Sequence, residues 1–182
     1  NKVIDSGVFS LVPSYADVFT DQTNADEIIF KAIVTDQDGT NAMNSFYAPS
    51  TFQGRGDIRV QNKHLNLYNA NDERGAFFVK ASGNTFTAKF LDQYGDVPIV
   101  RLAEMYLIRA ESNFRLGTTV GAAPLDDINF VRARALAPEL SEVTLDLIVK
   151  ERKLELAFEG QQVFDAKRLN KNIGTLAPTS DK

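Results

Sequence analysis

The stretch LDLIVKERKLELAFEGQQVFDAKR, Leu145 to Arg168, limits what this chain can fold into more than any other part of it. On a helix turning about 100° per residue, Leu145, Val149 and Leu156 form one apolar stripe, and Leu147, Leu154 and Phe158 form a second on nearly the opposite side. A helix with two such stripes is sandwiched between neighbours. Of the two arcs left between the stripes, one carries Lys150, Lys153 and Ala157 and reads as a solvated face. The other carries Glu151, Glu155, Glu159 and Arg152 around Ile148, so the acidic arc is expected to look inward. Carboxylates at i, i+4 and i+8 repel one another by a few tenths of a kcal/mol per pair on an exposed helix, and they therefore call for cations from elsewhere in the chain. Gly160 is placed to end this helix as a C′ residue, and Val163 to Leu169 reads as one or two further turns bearing Phe164, Asp165 and Arg168.

Composition narrows the chemistry. The 182 residues suffice for one domain with a sizeable core. The net charge is −4 and the Lys and Arg residues are spread without a basic run, which argues against a nucleic-acid partner held by phosphate neutralisation. There is no Cys, which removes disulfides, thiol nucleophiles and Cys-type zinc sites; the single His64 removes His-rich metal sites. No segment approaches the roughly 20 apolar residues of a membrane span, and the first residues lack the pattern of a secretory signal. The chain opens on what reads as the middle of a domain, so a fragment lacking upstream helices is expected.

Before the acidic helix the chain divides into a loop-rich part, residues 1–97, and a helical part, residues 98–170. Ser14 can cap a short helix over Tyr15 to Phe19, and Glu27 to Thr35 (EIIFKAIVT) has the β-branched and aromatic density of a strand. The Asp36, Asp38, Gly39, Asn41 string after it puts glycine at position 4 of a would-be calcium loop, where an EF-hand needs it at 6, so it reads as an Asp-Gly turn. From Thr40 to Asn71 no helical period survives. Asp72, Glu73 and Arg74 read as a charged turn, and Phe77 to Lys80 with Thr85 to Phe90 as a hairpin over Ser82, Gly83 and Asn84. Pro98 then precedes a helix from about Val100 to Leu116 with Ala103, Tyr106, Leu107, Ala110 and Phe114 on one stripe and Gly117 at its end. A second helix, Leu125 to Leu136, completes an antiparallel hairpin. The cadence from Ala103 to Gly117 resembles the first helix of a tetratricopeptide repeat, of which one copy is visible.

The long irregular segment holds the candidate binding residues. Phe46, Tyr47, Phe52 and Tyr68 supply ring faces that can cover the apolar C–H side of a pyranose. Arg55, Gln61, His64 and Asn66 supply planar or polar groups that can pair with vicinal hydroxyls. The competing reading is that Phe46, Phe52 and their neighbours anchor the loop to the core.

Several motifs then fall in an order that resembles the carboxyl-terminal part of the SusD/RagB family. They are Asn71, Asp72 and Arg74; Arg101, Glu104, Ala110 and Glu111; Asn129, Arg132, Arg134 and Ala135; and Glu151, Arg152, Glu155, Phe158, Glu159, Gly160, Phe164, Asp165 and Arg168. Gln162, Val163 and Ala166 depart from it, standing where such proteins often carry an Arg, a Trp or Tyr, and a Leu. The resemblance implies a mainly α, SusD-like fold with tetratricopeptide-like helical hairpins and a loop-rich region with a few short strands. It implies a lipoprotein on the extracellular face of the outer membrane that binds an oligo- or polysaccharide without cofactor or metal and partners a SusC-like TonB-dependent transporter. The family's lipidated Cys is not among these residues, and the eight candidate ligand residues match no family motif. Under the resemblance, Glu151, Glu155 and Glu159 with Arg101, Arg132, Arg152 and Arg168 form a structural ion-pair network. Two other functions compete. A glycoside hydrolase would need its carboxylates on opposite sides of a cleft, which Glu151 and Glu155 on one helix cannot provide. A peptide-binding helical scaffold would need more groove than a single hairpin offers.

Overall fold

The computed structural model describes residues 1–22 and 25–172, and its element order shows how each sequence signal is used. Helices α1 (Lys2–Asp5) and α2 (Asp17–Thr20) precede strand β1 (Ile28–Ala32). Helices α3 (Ala42–Tyr47), α4 (Asn62–Leu65) and α5 (Glu73–Ala76) lead to the hairpin β2 (Phe78–Ala81) and β3 (Asn84–Thr87). Strand β4 (Val97–Arg101) runs directly into α6 (Leu102–Leu116), followed by α7 (Pro124–Arg134), α8 (Leu145–Glu155) and α9 (Gln161–Arg168). The described chain is thus mainly helical, with two small antiparallel sheets, β1 with β4 and β2 with β3.

Local chemistry explains most boundaries. Ser82 and Gly83, both at positive φ (48° and 75°), close the β2–β3 hairpin as a two-residue turn whose twist matches that of the strands. Gly117 ends α6 in the left-handed conformation, as its position predicts, and Pro124 opens α7 at a position whose missing N–H costs nothing. The α6–α7 pair is antiparallel: Arg109 of α6 pairs with Asp127, one turn from the Tyr106–Phe130 ring contact. Ala103, Leu107, Ala110, Ile128, Val131, Ile148 and Leu156 form the apolar core between α6, α7 and α8; Val12, Tyr15, Val18, Phe19 and Ala25 form a second one under the amino-terminal segment. Each fully buried Leu, Ile or Val side chain in these clusters contributes about 1.5–3 kcal/mol relative to exposure.

Four expectations about the elements are corrected. The helix expected from Val100 starts at Leu102, because Val97 to Arg101 pairs with β1 instead, Ile28 lying opposite Arg101. The segment from Thr40 to Asn71 does contain helix, in pieces of two turns or fewer that are too short to show a period. The charged turn at Asp72 to Arg74 is the capped start of α5: Asp72 accepts the Arg74 N–H, and both side chains are buried. Lastly, α8 stops at Glu155 rather than continuing to Gly160, so Phe158, at φ 68°, belongs to the turn between helices and not to a helical stripe. Side chains take over the backbone bonds that end this helix. The Glu155 carbonyl accepts from the Tyr15 hydroxyl (3.1 Å), Lys89 Nζ (3.2 Å) and an Arg101 Nη (3.1 Å), and the Leu154 carbonyl accepts from Tyr68 (3.3 Å).

The acidic arc does face inward. Glu155 is closed to solvent and pairs with Arg74 (3.1 Å), Arg101 (3.0 Å) and Arg134; Glu151 pairs with Arg74 (2.5 Å) and Arg132 (2.6 Å); Glu159 pairs with Arg101 (2.8 Å) and Lys89 (2.5 Å). Glu27 joins through Arg101 (2.5 Å) and Arg134 (2.6 Å), and Asp72 through Arg74 (2.8 Å). The cluster is neutral: Glu27, Asp72, Glu151, Glu155 and Glu159 stand against Arg74, Lys89, Arg101, Arg132 and Arg134. Rings of Tyr15 and Phe19 face its cations, with Lys89 Nζ 4.8 Å from the Phe19 centroid and the Arg134 guanidinium 5.1 Å from that of Tyr15. Arg152 and Arg168, expected to pair with the acidic arc, belong instead to an outer set. Arg152 reaches Asp165 (3.1 Å) and, more loosely, Glu104 (3.5 Å), while Arg168 reaches Glu111 (2.5 Å) and Asp165 (2.8 Å). At 100° per residue Arg152 sits at the edge of the arc, which turns it toward α9.

Removing one partner of a buried, bonded pair strands the other charge, at a cost of about 3–5 kcal/mol. Glu155→Ala is therefore expected to lower stability by that amount in chemical denaturation while leaving the ranking of ligands unchanged. A variant as stable as the parent would show that the buried arginines do not depend on this carboxylate.

Candidate functional site

Asparagine side chains give the segment after β1 a fixed shape. Asn41 caps α3 by accepting the Asn44 N–H (2.7 Å), and its amide donates to the carbonyls of Asp92 (3.1 Å), Gln93 (3.3 Å) and Gly95 (3.1 Å). The buried Asn44 donates to the carbonyls of Phe52 (3.1 Å), Phe90 (3.1 Å) and Leu91 (3.0 Å). Gly54 lies so close to the α3 end that an added Cβ would fall 2.1 Å from the Ala48 carbonyl oxygen, so only glycine fits. A loop tied at this many points holds its outward side chains in place.

The structure separates the eight candidate residues into groups. Phe46 and Phe52 remain 41% and 37% exposed, too open to be simple core anchors. The Arg55 guanidinium lies 4.7 Å from the Phe46 ring centroid, and Asp57 accepts its Nε (2.9 Å) and one Nη. These residues make an outer surface of ring and guanidinium faces. Tyr47, Gln61 and His64 lie elsewhere, on one wall of a cleft of about 850 Å³ whose other wall is α8 and the start of α9. Asn66 ends α4 at the exposed surface. Tyr68 turns inward, its hydroxyl 3.0 Å from His64 Nε2 and donating to Leu154.

Three aromatic rings line the cleft together: Phe158 meets His64 edge-on at 5.3 Å and Tyr47 at 6.1 Å between centroids. Behind them His64 meets Tyr68 (5.4 Å) and Phe78 (6.2 Å). Phe158 takes this place because the chain reverses after α8. Sequence reasoning missed Arg59 and Lys63, which line the cleft; no period or motif marked them.

Glu151 and Glu155 are buried among arginines, and the charges of Arg134, Arg101 and Arg74 outweigh burial to hold the Glu155 carboxyl well below its usual range. Glu155 therefore stays ionised, the opposite of a general acid poised to donate a proton, and both carboxylates are closed to a sugar. Among the described residues no three His, Asp or Glu side chains are grouped to hold a metal ion, and Asp38 of the Asp-Gly turn accepts the N–H (3.0 Å) and hydroxyl (2.7 Å) of Thr35. No described helix is long and apolar enough to cross a membrane.

The model of the SusD family matches residues 78–178. No curated protein sequence matches the chain. Among solved structures, surface glycan-binding protein A from Bacteroides uniformis is similar at 24% identity and a TM-score of 0.78, over 97% of this chain and 45% of that one. Surface glycan-binding protein A from Bacteroides thetaiotaomicron in complex with laminarihexaose aligns at 22% identity and 0.81, over 98% and 50%. A SusD superfamily protein from Parabacteroides distasonis aligns at 18% and 0.77, over 92% and 44%. The chain therefore has a SusD-like fold and spans about half the length of these relatives.

Burial, followed by the charges of Lys153 and Lys89, lowers the His64 pKa from 6.5 to about 4. The unfolded chain thus takes up this proton at a higher pH than the folded one, and stability falls as pH drops from 6.5 toward 4. The Glu155 contribution, whose folded pKa is depressed, is present above about pH 4.5 and is lost only below it. Melting temperature is expected to decline between pH 6.5 and 4.5, and His64→Gln to flatten that limb alone. An unchanged slope in the variant would mean the imidazole protonates as easily folded as unfolded.

Proposed function

The chain belongs to the SusD family, and from that premise we propose that it is a non-catalytic glycan-binding component of a polysaccharide uptake system. In this reading it works at the extracellular face of the outer membrane beside a SusC-like TonB-dependent transporter. The observation that carries glycan binding is the outward display of Phe46, Phe52 and Arg55 on a loop held by Asn41, Asn44 and Gly54. Ring faces can cover the C–H side of a sugar. Arg55, held by Phe46 and Asp57, keeps its Nη1 donors for vicinal hydroxyls. Preorganisation of this kind reduces the ordering cost of binding. The complex of a structural relative with laminarihexaose supports the same class of ligand.

Native electrophoresis through gels containing neutral and acidic polysaccharides tests the proposal. Retardation by at least one polymer, with no reducing sugar released, is expected, and Phe46→Ala and Phe52→Ala are each expected to weaken it about fivefold, the loss of roughly 1 kcal/mol of ring contact. Release of products would instead make the protein a hydrolase. Full retardation of both variants would place the ligand on another face.

A further inference from the structure

The cleft between the loop and α8–α9 has an electrostatic character unlike the rest of the molecule. The chain carries a net charge of −4, yet the described residues lining this cleft include six cations against two carboxylates. The carboxylates are already engaged, Asp146 by Lys171 (3.1 Å) and Asp165 by Arg152 (3.1 Å) and Arg168 (2.8 Å). The side chains of the other four cations, Arg59 and Lys63 on the loop wall and Lys150 and Lys153 on the α8 wall, make no hydrogen bond or ion pair with any described residue. Like charges gathered on both walls of one cleft raise its potential and disfavour an empty state. The amino terminus of α9 opens onto the same space: Gly160, Gln161 and Gln162 line it, and no side chain caps the helix. Its first N–H groups and dipole add to the attraction for an anion.

Resting on the glycan-binding reading above, we infer that this cleft receives the carboxylate groups of an acidic polysaccharide, a polymer containing uronic acid. Arg59, Lys63, Lys150, Lys153 and the first turn of α9 would meet the carboxylates, while Tyr47 and Phe158 offer ring surface and Gln61 and Gln161 offer amides to the sugar hydroxyls. The shape suits a polymer: at about 850 Å³ the cleft exceeds what a single small anion needs.

His64 lies in the cleft wall and is the only histidine in the chain, so its imidazole resonances report on this site without ambiguity. The test is a titration of those resonances with pH, alone and with saturating oligogalacturonate or laminarihexaose. A carboxylate bound in the cleft favours the imidazolium, so the midpoint is expected to rise with oligogalacturonate and to stay in place with the neutral sugar. The double variant Lys63→Gln, Lys153→Gln is expected to bind oligogalacturonate about tenfold more weakly and with a shallower dependence on salt, as loss of two charge-assisted contacts requires. A midpoint unmoved by oligogalacturonate, or a double variant that binds as tightly as the parent, overturns the inference. Binding of neutral polymers in the electrophoresis experiment would then leave the broader glycan-binding reading standing, whereas retardation by no polymer overturns both.

Discussion

The Glu155 carboxylate is where the separate parts of this fold meet. Its three arginine partners each sit at or beside the end of an element: Arg74 in α5, Arg101 at the junction of β4 and α6, and Arg134 on the last turn of α7. Its own carbonyl adds Tyr15 from the amino-terminal segment and Lys89 from beyond β3. The loop-rich half has one small core of its own, around Tyr15 and Phe19. It is held to the helical half through charges that a buried environment makes costly to leave unpaired. Five acids against five bases is the arrangement that lets such a cluster be buried, because each charge has a partner and the whole is neutral.

The same cluster sets the shape of the surface. Satisfying the last carbonyls of α8 with side chains lets the helix stop at Glu155, and the chain then reverses through Phe158 and Gly160, both at positive φ (68° and 84°). That reversal brings Phe158 against His64 and Tyr47, separates α9 from the axis of α8, and so opens the cleft. Had the helix run on to Glu159, as its apolar pattern allows, Lys89 and Arg101 would have lost the Glu155 carbonyl to the backbone. Core and cleft are therefore consequences of one helix end.

How much of this is legible in the sequence depends on the range of the interaction. The Glu151–Glu155–Glu159 arc, the end of α6 at Gly117, the β2–β3 hairpin and the α6–α7 pair are all set by spacings within a few turns, and they are where the residues place them. Of the partners of the arc, Arg101 and Arg132 are those the family resemblance implies, whereas Arg74, Arg134 and Lys89 are not among them, and Lys89 lies in a stretch with no pattern to mark it. Arg74 and Arg134 stand in recognisable motifs, but a motif does not say which carboxylate its arginine will meet. The family resemblance implies Arg152 and Arg168 as partners of the arc, and α9 draws them instead to Asp165 and Glu111. In the irregular segment the sequence offered eight candidates of one kind. Folding divides them by exposure, placing Phe46 and Arg55 outside, His64 in the cleft wall and Tyr68 within, a difference of environment that composition does not carry.

The central claim is that the buried charges act as one neutral unit, and a double-mutant cycle on Arg134 and Glu155 tests it most directly. Chemical denaturation of Arg134→Met, Glu155→Leu and the double variant gives the coupling between them. If neutrality governs, each single variant strands a buried charge, and the double variant loses less stability than the two losses combined, by at least about 1 kcal/mol. Losses that add to within about 0.5 kcal/mol would show two independent contacts and contradict the claim.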